Sequence, residues 1–392
     1  MRVLFWVQHL LGIGHARRAS LIAEALAAAG AEVAVAQGGH PVASARFRGA
    51  EVVQLPPLRS ADAAFSALVD GEGRPAGEAL WAERTARLAA LARRVRPEIV
   101  LLETFPFGRR AFRVELAPLL EGLAAAPDRP LVAASLRDIL VRHDAKKDAW
   151  ILRHAQRWCD LVLVHGDPRL LPLEASFPPA AELAERIRYT GYVVPLRTAD
   201  AAPGADGTDE VVVSVGGGAV GAGVLQAAVA ARPLSRQAGA ARWRLLLGPD
   251  LPEPDRTALM AAAHPGLLVE PARPDFPDLL TRCRLSVSQA GYNTVMDVVG
   301  AGCRAVLVPF ARGQETEQTD RAALLAARGH VHVTAEAGLT PERLAAAVDA
   351  ALAGPPPPPL DLATDGAAAT ARILLEAAGR RRGVSDTPAS GL

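Results

Sequence analysis

The stretch VLFWVQHLLGIGHARRASLIAEALAAA, residues 3–29, decides the reading of the fold. Its first five residues are a β-branched and aromatic run, and Gly12 and Gly14 mark a turn. Leu21, Ile22, Ala25 and Leu26 then recur at helical spacing. A strand, a glycine turn and a helix follow one another, and the rhythm repeats. Short apolar runs stand at 32–36, 52–55, 99–102, 131–135 and 161–165, with helical segments such as 80–95 among them. Such alternation predicts an α/β fold with a parallel sheet covered by helices on both faces. From 191 to 210 the chain turns small and polar, with Pro195, Pro203, Gly204 and Gly207. A first domain over 1–195 and a linker over 196–209 are therefore expected. A second series starts at 211–215 and continues at 243–247, 266–269, 285–288, 305–308 and 330–333. It predicts a second doubly wound, Rossmann-like domain over 210–378. Five prolines at 355–359 read as a stiff spacer before a last helix at 365–378, and 379–392 as a flexible tail.

At 392 residues, two domains are the natural expectation. Apolar residues are 50% and charged residues 22%, an ordinary globular balance. With 43 basic and 42 acidic residues the net charge is +1, so no long-range field argues for nucleic acid or an acidic polymer as partner. Cys159, Cys283 and Cys303 are far apart and form neither a CxxC pair nor a metal-ligand spacing. That usage fits a reducing cytoplasm, and neither a metal nor a cofactor is expected. The N-terminus shows no signal-peptide pattern. The uncharged stretch between Glu210 and Arg232 is broken by Ser214, Gln226 and three glycines, and reads as strand, loop and helix rather than a membrane span.

Four constellations can carry chemistry. Gly12-Ile13-Gly14-His15 opens the first helix, where amides and the helix dipole can hold an anion. It is not a dinucleotide fingerprint, because Arg17 replaces the third glycine and Gln37 and Gly38 stand where an acidic residue is needed. His15 reads as a general base or acceptor contact, and equally as a helix cap. Gly216, Gly217 and Gly218 follow the first strand of the second series, where small residues let amides approach a diphosphate. Tight strand-to-helix geometry alone would also explain them. Ser288-Gln289-Ala290-Gly291-Tyr292-Asn293-Thr294-Val295-Met296-Asp297 should open a helix at Gly291 to face a diphosphate, with Asp297 accepting from ribose hydroxyls. An Asn or Thr cap with Asp297 favouring the dipole is compatible with that role. Phe310, Gln314, Glu315, Glu317 and Gln318 can read sugar hydroxyls, or form a solvated loop.

In the first domain, Glu103, Arg137, Asp138, His165 and Asp167 follow apolar runs at strand ends, where acceptor groups or merely turn and cap residues stand. Residues 105–113, FPFGRRAFR, mix aromatics with arginines, as a membrane-touching loop or a cleft wall would.

The order of glycine loop, SxAGxNTxxD at 288–297 and PFxxxxExEQ at 309–318 resembles the C-terminal domain of MurG-type, family 28 glycosyltransferases. The opening HLLGIGHARRA, residues 9–19, is similar to a less characterised bacterial branch of these enzymes. The resemblance implies the GT-B architecture, two doubly wound domains facing a cleft, and a cytoplasmic location, peripheral at the inner membrane face. It puts Asp297 on the donor ribose and Gln318 on the donor sugar, with Gly216, Gly217 and Gly291 flanking the diphosphate. Gly218, Gln289, Asn293, Thr294, Phe310 and Glu317 complete the expected donor set. Gly14, Arg18 and His165 are expected on the acceptor side, and His15, Glu103 and Asp138 as catalytic groups. The expected reaction moves a hexose or N-acetylhexosamine from a UDP-linked donor to a hydroxyl acceptor, lipid-linked if residues 105–113 touch a membrane. Without an Asp-x-Asp in the usual diphosphate setting, leaving-group stabilisation is expected from helix amides rather than a metal. Leu10, Leu11 and Ile13 depart from the glycine-rich loop of peptidoglycan enzymes, and Glu317 from their Gln or His, which points to a different sugar or acceptor. A nucleotide-sugar hydrolase is an alternative, since Gly12, Gly14, His15 and Arg18 match the Gly-x-Gly-His-x-x-Arg opening of such enzymes. A non-catalytic nucleotide-sugar sensor is another.

Overall fold

The computed structural model describes residues 1–10, 14–42, 45–61, 67–195, 204–216, 221–311 and 316–385. The chain divides into two units, Met1–Pro195 with Leu362–Leu392, and Leu196–Asp361. In the first, β1 (Arg2–Val7), α1 (Gly14–Ala28), β2 (Glu32–Gln37) and β3 (Ala50–Gln54) are followed by a short ribbon, β4 (Arg59–Ser60) and β5 (Leu68–Val69). Then come α2 (Glu78–Val95), β6 (Ile99–Glu103), α3 (Arg113–Ala124), β7 (Leu131–Arg137), α4 (Ala145–Trp158), β8 (Leu161–His165) and β9 (Ile187–Tyr189). The seven-stranded sheet runs β3-β2-β1-β6-β7-β8-β9. Its pairs are parallel, with Val3 opposite both Val33 and Ile99. The order reverses between β1 and β6, so the crevice at their carboxyl ends is the switch point where ligands of open α/β sheets bind.

Alternation along β1 builds two cores. Leu4 and Trp6 pack with Leu88, Leu116, Ile151 and Trp158 on one face. Val3, Phe5 and Val7 pack with Ile22 and Leu26 on the other, together with Ala371, Leu374 and Ala378. The last three belong to the final helix, which corrects its expected place in the second domain. The chain returns because the face of Val3 and Phe5 still needs cover. Tyr192 N–H donates to Ala363 C=O at 2.7 Å and Gly366 N–H to Tyr192 C=O at 3.1 Å. Gly191 adopts φ +81°, and a Cβ there would lie 2.7 Å from Ala363. The helix also runs to Ser385, so residues 379–385 of the expected flexible tail are helical. Arg381 ties it to Asp160 at 2.8 Å. Residues 386–392 lie outside the described residues.

The second unit contains β10 (Val211–Ser214), α5 (Ala222–Ala231), β11 (Trp243–Leu247), α6 (Glu253–Ala261), β12 (Leu267–Pro271) and α7 (Phe276–Arg282). It continues with β13 (Leu285–Ser288), α8 (Tyr292–Ala301), β14 (Ala305–Leu307), α9 (Glu317–Ala327), β15 (His332–Val333) and α10 (Pro341–Ala353). The returning helix of the first unit is α11 (Gly366–Ser385). The parallel sheet of the second unit runs β12-β11-β10-β13-β14-β15, with its switch point between β10 and β13. Of the expected linker, Asp206 binds Arg244 and Arg273, and Asp209 N–H reaches Arg282 C=O, so the described part is pinned to the second unit. Residues 196–203 lie outside the described residues.

Candidate functional site

At the switch point of the first unit, α1 begins at Gly14 and puts His15 in its first turn, while β6 ends on Glu103. His15 Nδ1 lies 2.9 Å from Glu103 Oε1. A carboxylate only accepts, so Nδ1 carries the proton and Nε2 is left as an acceptor. Nε2 makes no hydrogen bond to a described residue, and the His15 side chain is 19% exposed. Glu103 is fully buried. Its Oε1 also accepts from the Arg18 guanidinium and from Thr104 Oγ1 at 3.1 Å. Its Oε2 accepts from Ser135 Oγ at 3.0 Å. Ser135 Oγ meets His165 Nε2 at 2.9 Å, and His165 Nδ1 meets Thr190 Oγ1 at 2.8 Å.

The charges in this cluster are settled by burial and by one another. Burial alone would raise the Glu103 carboxyl. The Arg18 charge and the hydrogen bond from His15 outweigh it and hold the group well below the usual carboxylate range. Burial pushes the His15 imidazole down to about 3, against the pull of its hydrogen bond to Glu103 and with help from the Arg109 and Arg18 charges. Burial and then Arg18 bring His165 to about 3 as well. Beside them, burial and the Arg109 and His40 charges lower His9 to about 4. Arg109 itself is lowered to about 10, first by burial, and its Nε donates to Gln8 C=O at 3.0 Å. At neutral pH the cluster therefore holds an anionic Glu103 and neutral His15 and His165.

Several expected site residues take other places. Arg18 and His165, expected on the acceptor side, are buried inside the cluster and have no surface left for an acceptor. Asp138, expected among the catalytic groups, directly follows β7, buried against Gly166, and its Oδ1 accepts the Ile139 N–H at 3.0 Å. The carboxylate that His15 meets is Glu103. Asp167 accepts from Arg169 N–H at 2.8 Å, a turn role. The aromatics of residues 105–113 do not offer an apolar face for the expected membrane contact. Phe105, Phe107 and Phe112 are all buried, packed on Trp158, Phe177 and Trp6, so no apolar ring of the segment faces outward. No described helix is long and apolar enough to cross a membrane. Thr104, Ser135, Thr190 and Arg109 are members of the cluster that sequence reasoning missed. Gly12 lies outside the described residues.

In the second unit, the carboxyl ends of β10, β13 and β14 are level. Gln289 N–H donates to Ser214 C=O at 3.2 Å and Val308 N–H to Ser288 C=O at 2.8 Å. The three candidate segments thus leave one sheet edge. Gly216 adopts φ +73° with open space where a Cβ would stand. Gly221 adopts φ +108°, and a Cβ there would lie 2.6 Å from Val215. Gly217, Gly218, Gln314 and Glu315 lie outside the described residues. The N-cap of α8 is Gly291, and no side chain caps it. Asn293 and Thr294 stand within the first turn rather than at the cap, with Asp297 half-buried on the next turn. The Gln289 side chain is buried, and its Nε2 has no partner among the described residues. From α9, Arg321 donates to Ala290 C=O at 3.1 Å and lies 5.7 Å from the Tyr292 ring, bracing the turn. Gln318 Oε1 accepts the Phe310 N–H at 3.0 Å, which leaves its amide group as the end free to donate. Glu317 is the first residue of α9. The edge combines uncapped helix amides, a buried amide donor and a carboxylate, a set suited to a phosphorylated sugar.

Residues 212–369 match the glycosyltransferase family 28 C-terminal domain. The UDP-N-acetylglucosamine–N-acetylmuramyl-(pentapeptide) pyrophosphoryl-undecaprenol N-acetylglucosamine transferase of Rhodospirillum centenum is 37% identical over 106 residues, 27% of either chain. The enzyme of the same name from Acidiphilium cryptum is 29% identical over 275 residues, 67% of this chain and 70% of that one. Among the first such relatives, the chain spans between 26% and 41% of their length. The crystal structure of Acinetobacter baumannii MurG superposes with a TM-score of 0.57 at 17% identity, covering 97% of this chain and 99% of that one. Two Rossmann-like parallel sheets with these neighbours, and the motifs at the edge of the second, lead to one assignment: the chain has the GT-B fold, and its residues 212–369 are a glycosyltransferase family 28 C-terminal domain.

Proposed function

We propose that the protein transfers a hexose or N-acetylhexosamine from a UDP-linked donor to a hydroxyl acceptor, with His15 as the general base. The observation that carries this reading is the His15–Glu103 pair. Its Nδ1–H is held by a buried carboxylate and its Nε2 is bare at a sheet switch point. Nε2 takes the proton of the acceptor hydroxyl as that oxygen attacks the anomeric carbon, and the bond from that carbon to the diphosphate breaks. Glu103 stabilises the imidazolium that forms, as a buried carboxylate does for a base histidine. Both the uncapped amides of α8 and the Gln289 amide support diphosphate binding without a metal, while Asp297 holds the ribose and the Gln318 amide the sugar. The relatives' printed name makes a lipid-linked pyrophosphate the first acceptor to try.

The test is product analysis with UDP-sugars, with and without polyprenyl-diphosphate-linked acceptors. Transfer that His15→Ala lowers by at least ~100-fold, the usual contribution of a general base, supports the reading. Free sugar released at the same rate with or without acceptor would identify a hydrolase instead.

A further inference from the structure

Four polar side chains lie across four neighbouring strands of the first sheet. Glu103 is paired with Ser135 across β6 and β7. His165 ends β8, and the Val164–Tyr189 register sets Thr190 beside it. Glu103, Ser135 and His165 are each fully buried and Thr190 is 4% exposed, in a sheet whose neighbouring positions are Leu101, Leu136 and Val164. Apolar residues would fill these places without any need for partners, whereas each polar group here requires one.

We propose that Ser135, His165 and Thr190 form a positioning relay that holds the Glu103 carboxylate, and through it the orientation and tautomer of His15. The proposal rests on the reading of His15 as the base. Two proton arrangements satisfy the chain. In one, Thr190 Oγ1 donates to His165 Nδ1 at 2.8 Å, His165 Nε2 donates to Ser135 Oγ at 2.9 Å, and Ser135 Oγ donates to Glu103 Oε2 at 3.0 Å. In the other, Thr190 donates to Gly191 C=O at 2.9 Å, the histidine is reversed, and Oε2 receives no proton from the serine. The anionic Glu103 selects the first, since a buried carboxylate gains most from a donor on each oxygen. The titratable groups around it are the cations Arg18 from α1, Arg109 from the loop after β6 and Arg137 from β7, and the neutral His15 from α1. Arg18 and His15 crowd onto Oε1, so the relay is what steadies Oε2 and the plane of the carboxylate. His165 is thus a positioning residue three hydrogen bonds from the base, not an acceptor contact.

The relay is tested in the full chain by comparing Ser135→Ala, Ser135→Thr and Thr190→Val with the wild type. We expect Ser135→Ala to lower kcat by ~10-fold with donor KM unchanged, the loss expected for one hydrogen bond to a charged group. The nitrogen NMR shifts of His15 should move from a single Nδ1–H tautomer to a mixture, and Ser135→Thr, which keeps the hydroxyl, should restore both. Thr190→Val removes the donor to His165 Nδ1 and should give a smaller change in the same two readouts. It carries the test if Ser135→Ala does not fold. Wild-type kcat and an unchanged His15 tautomer in the folded variants would overturn the relay. Full transfer in His15→Ala would instead overturn the base reading, leaving the two failures distinct.

Discussion

At the scale of single residues, the first sheet carries an unusual set of buried titratable groups. His9, His15 and His165 have folded values of about 4, 3 and 3, all below 6.5. The unfolded chain therefore binds protons that the folded one refuses as pH falls below about 6.5. Glu103, held low, acts in the same direction, contributing stability that is present above 4.5 and lost as pH falls through its folded value. Thermal unfolding followed from pH 7.5 to 5 should show Tm falling below about pH 6.5, as stability drops by up to ~1.4 kcal/mol per pH unit for each histidine. His165→Gln should make that fall shallower, and a flat profile would contradict the burial of these rings. Legibility at this scale was uneven. His15 and Glu103 stood out one by one as polar residues at strand ends. Their pairing across 88 positions did not, since only the β1–β6 register brings them together. Ser135 and Thr190 carry no signal in sequence, because a lone hydroxyl in an apolar run reads as an ordinary strand residue.

At the scale of elements, period-two and period-3.6 patterning placed the strands and α2 within a residue or two, and the start of α11, but cut the end of α11 seven residues short. It failed where an element is short or its partner distant. The three-residue β9 has too little pattern to show. The stretch 105–113 read as a membrane-touching loop or a cleft wall because its arginines interleave with rings, and Phe105, Phe107 and Phe112 turn inward. The helix at 365–378 was legible, but no local pattern says that it covers β1 rather than β10. The structure makes α11 part of the first core, and Leu374 is fully buried there. Leu374→Ala should cost roughly 2–5 kcal/mol, read as a lower urea midpoint. Hydrogen exchange should then quicken in β1 and α1 while β10 and β13 stay protected. Loss of protection in β10 and β13 alone would contradict the assignment of α11.

At the scale of the whole molecule, two switch points carry different equipment. The first unit has His15, the proposed base, hydrogen-bonded to a buried carboxylate. The second has an uncapped helix, a buried amide donor and Asp297. With a net charge of only +1, the affinity for an anionic donor must come from that local edge and not from a global field. The most direct measurement is calorimetric titration of UDP, GDP and TDP and their sugars into the wild type and Asp297→Ala. UDP and its sugars should bind the wild type and raise its Tm. Asp297→Ala should lose ~1.5–3 kcal/mol of that affinity, the worth of hydrogen bonds to a charged group. Equal binding by both proteins, or no nucleotide binding at all, would contradict the donor site placed on the second unit.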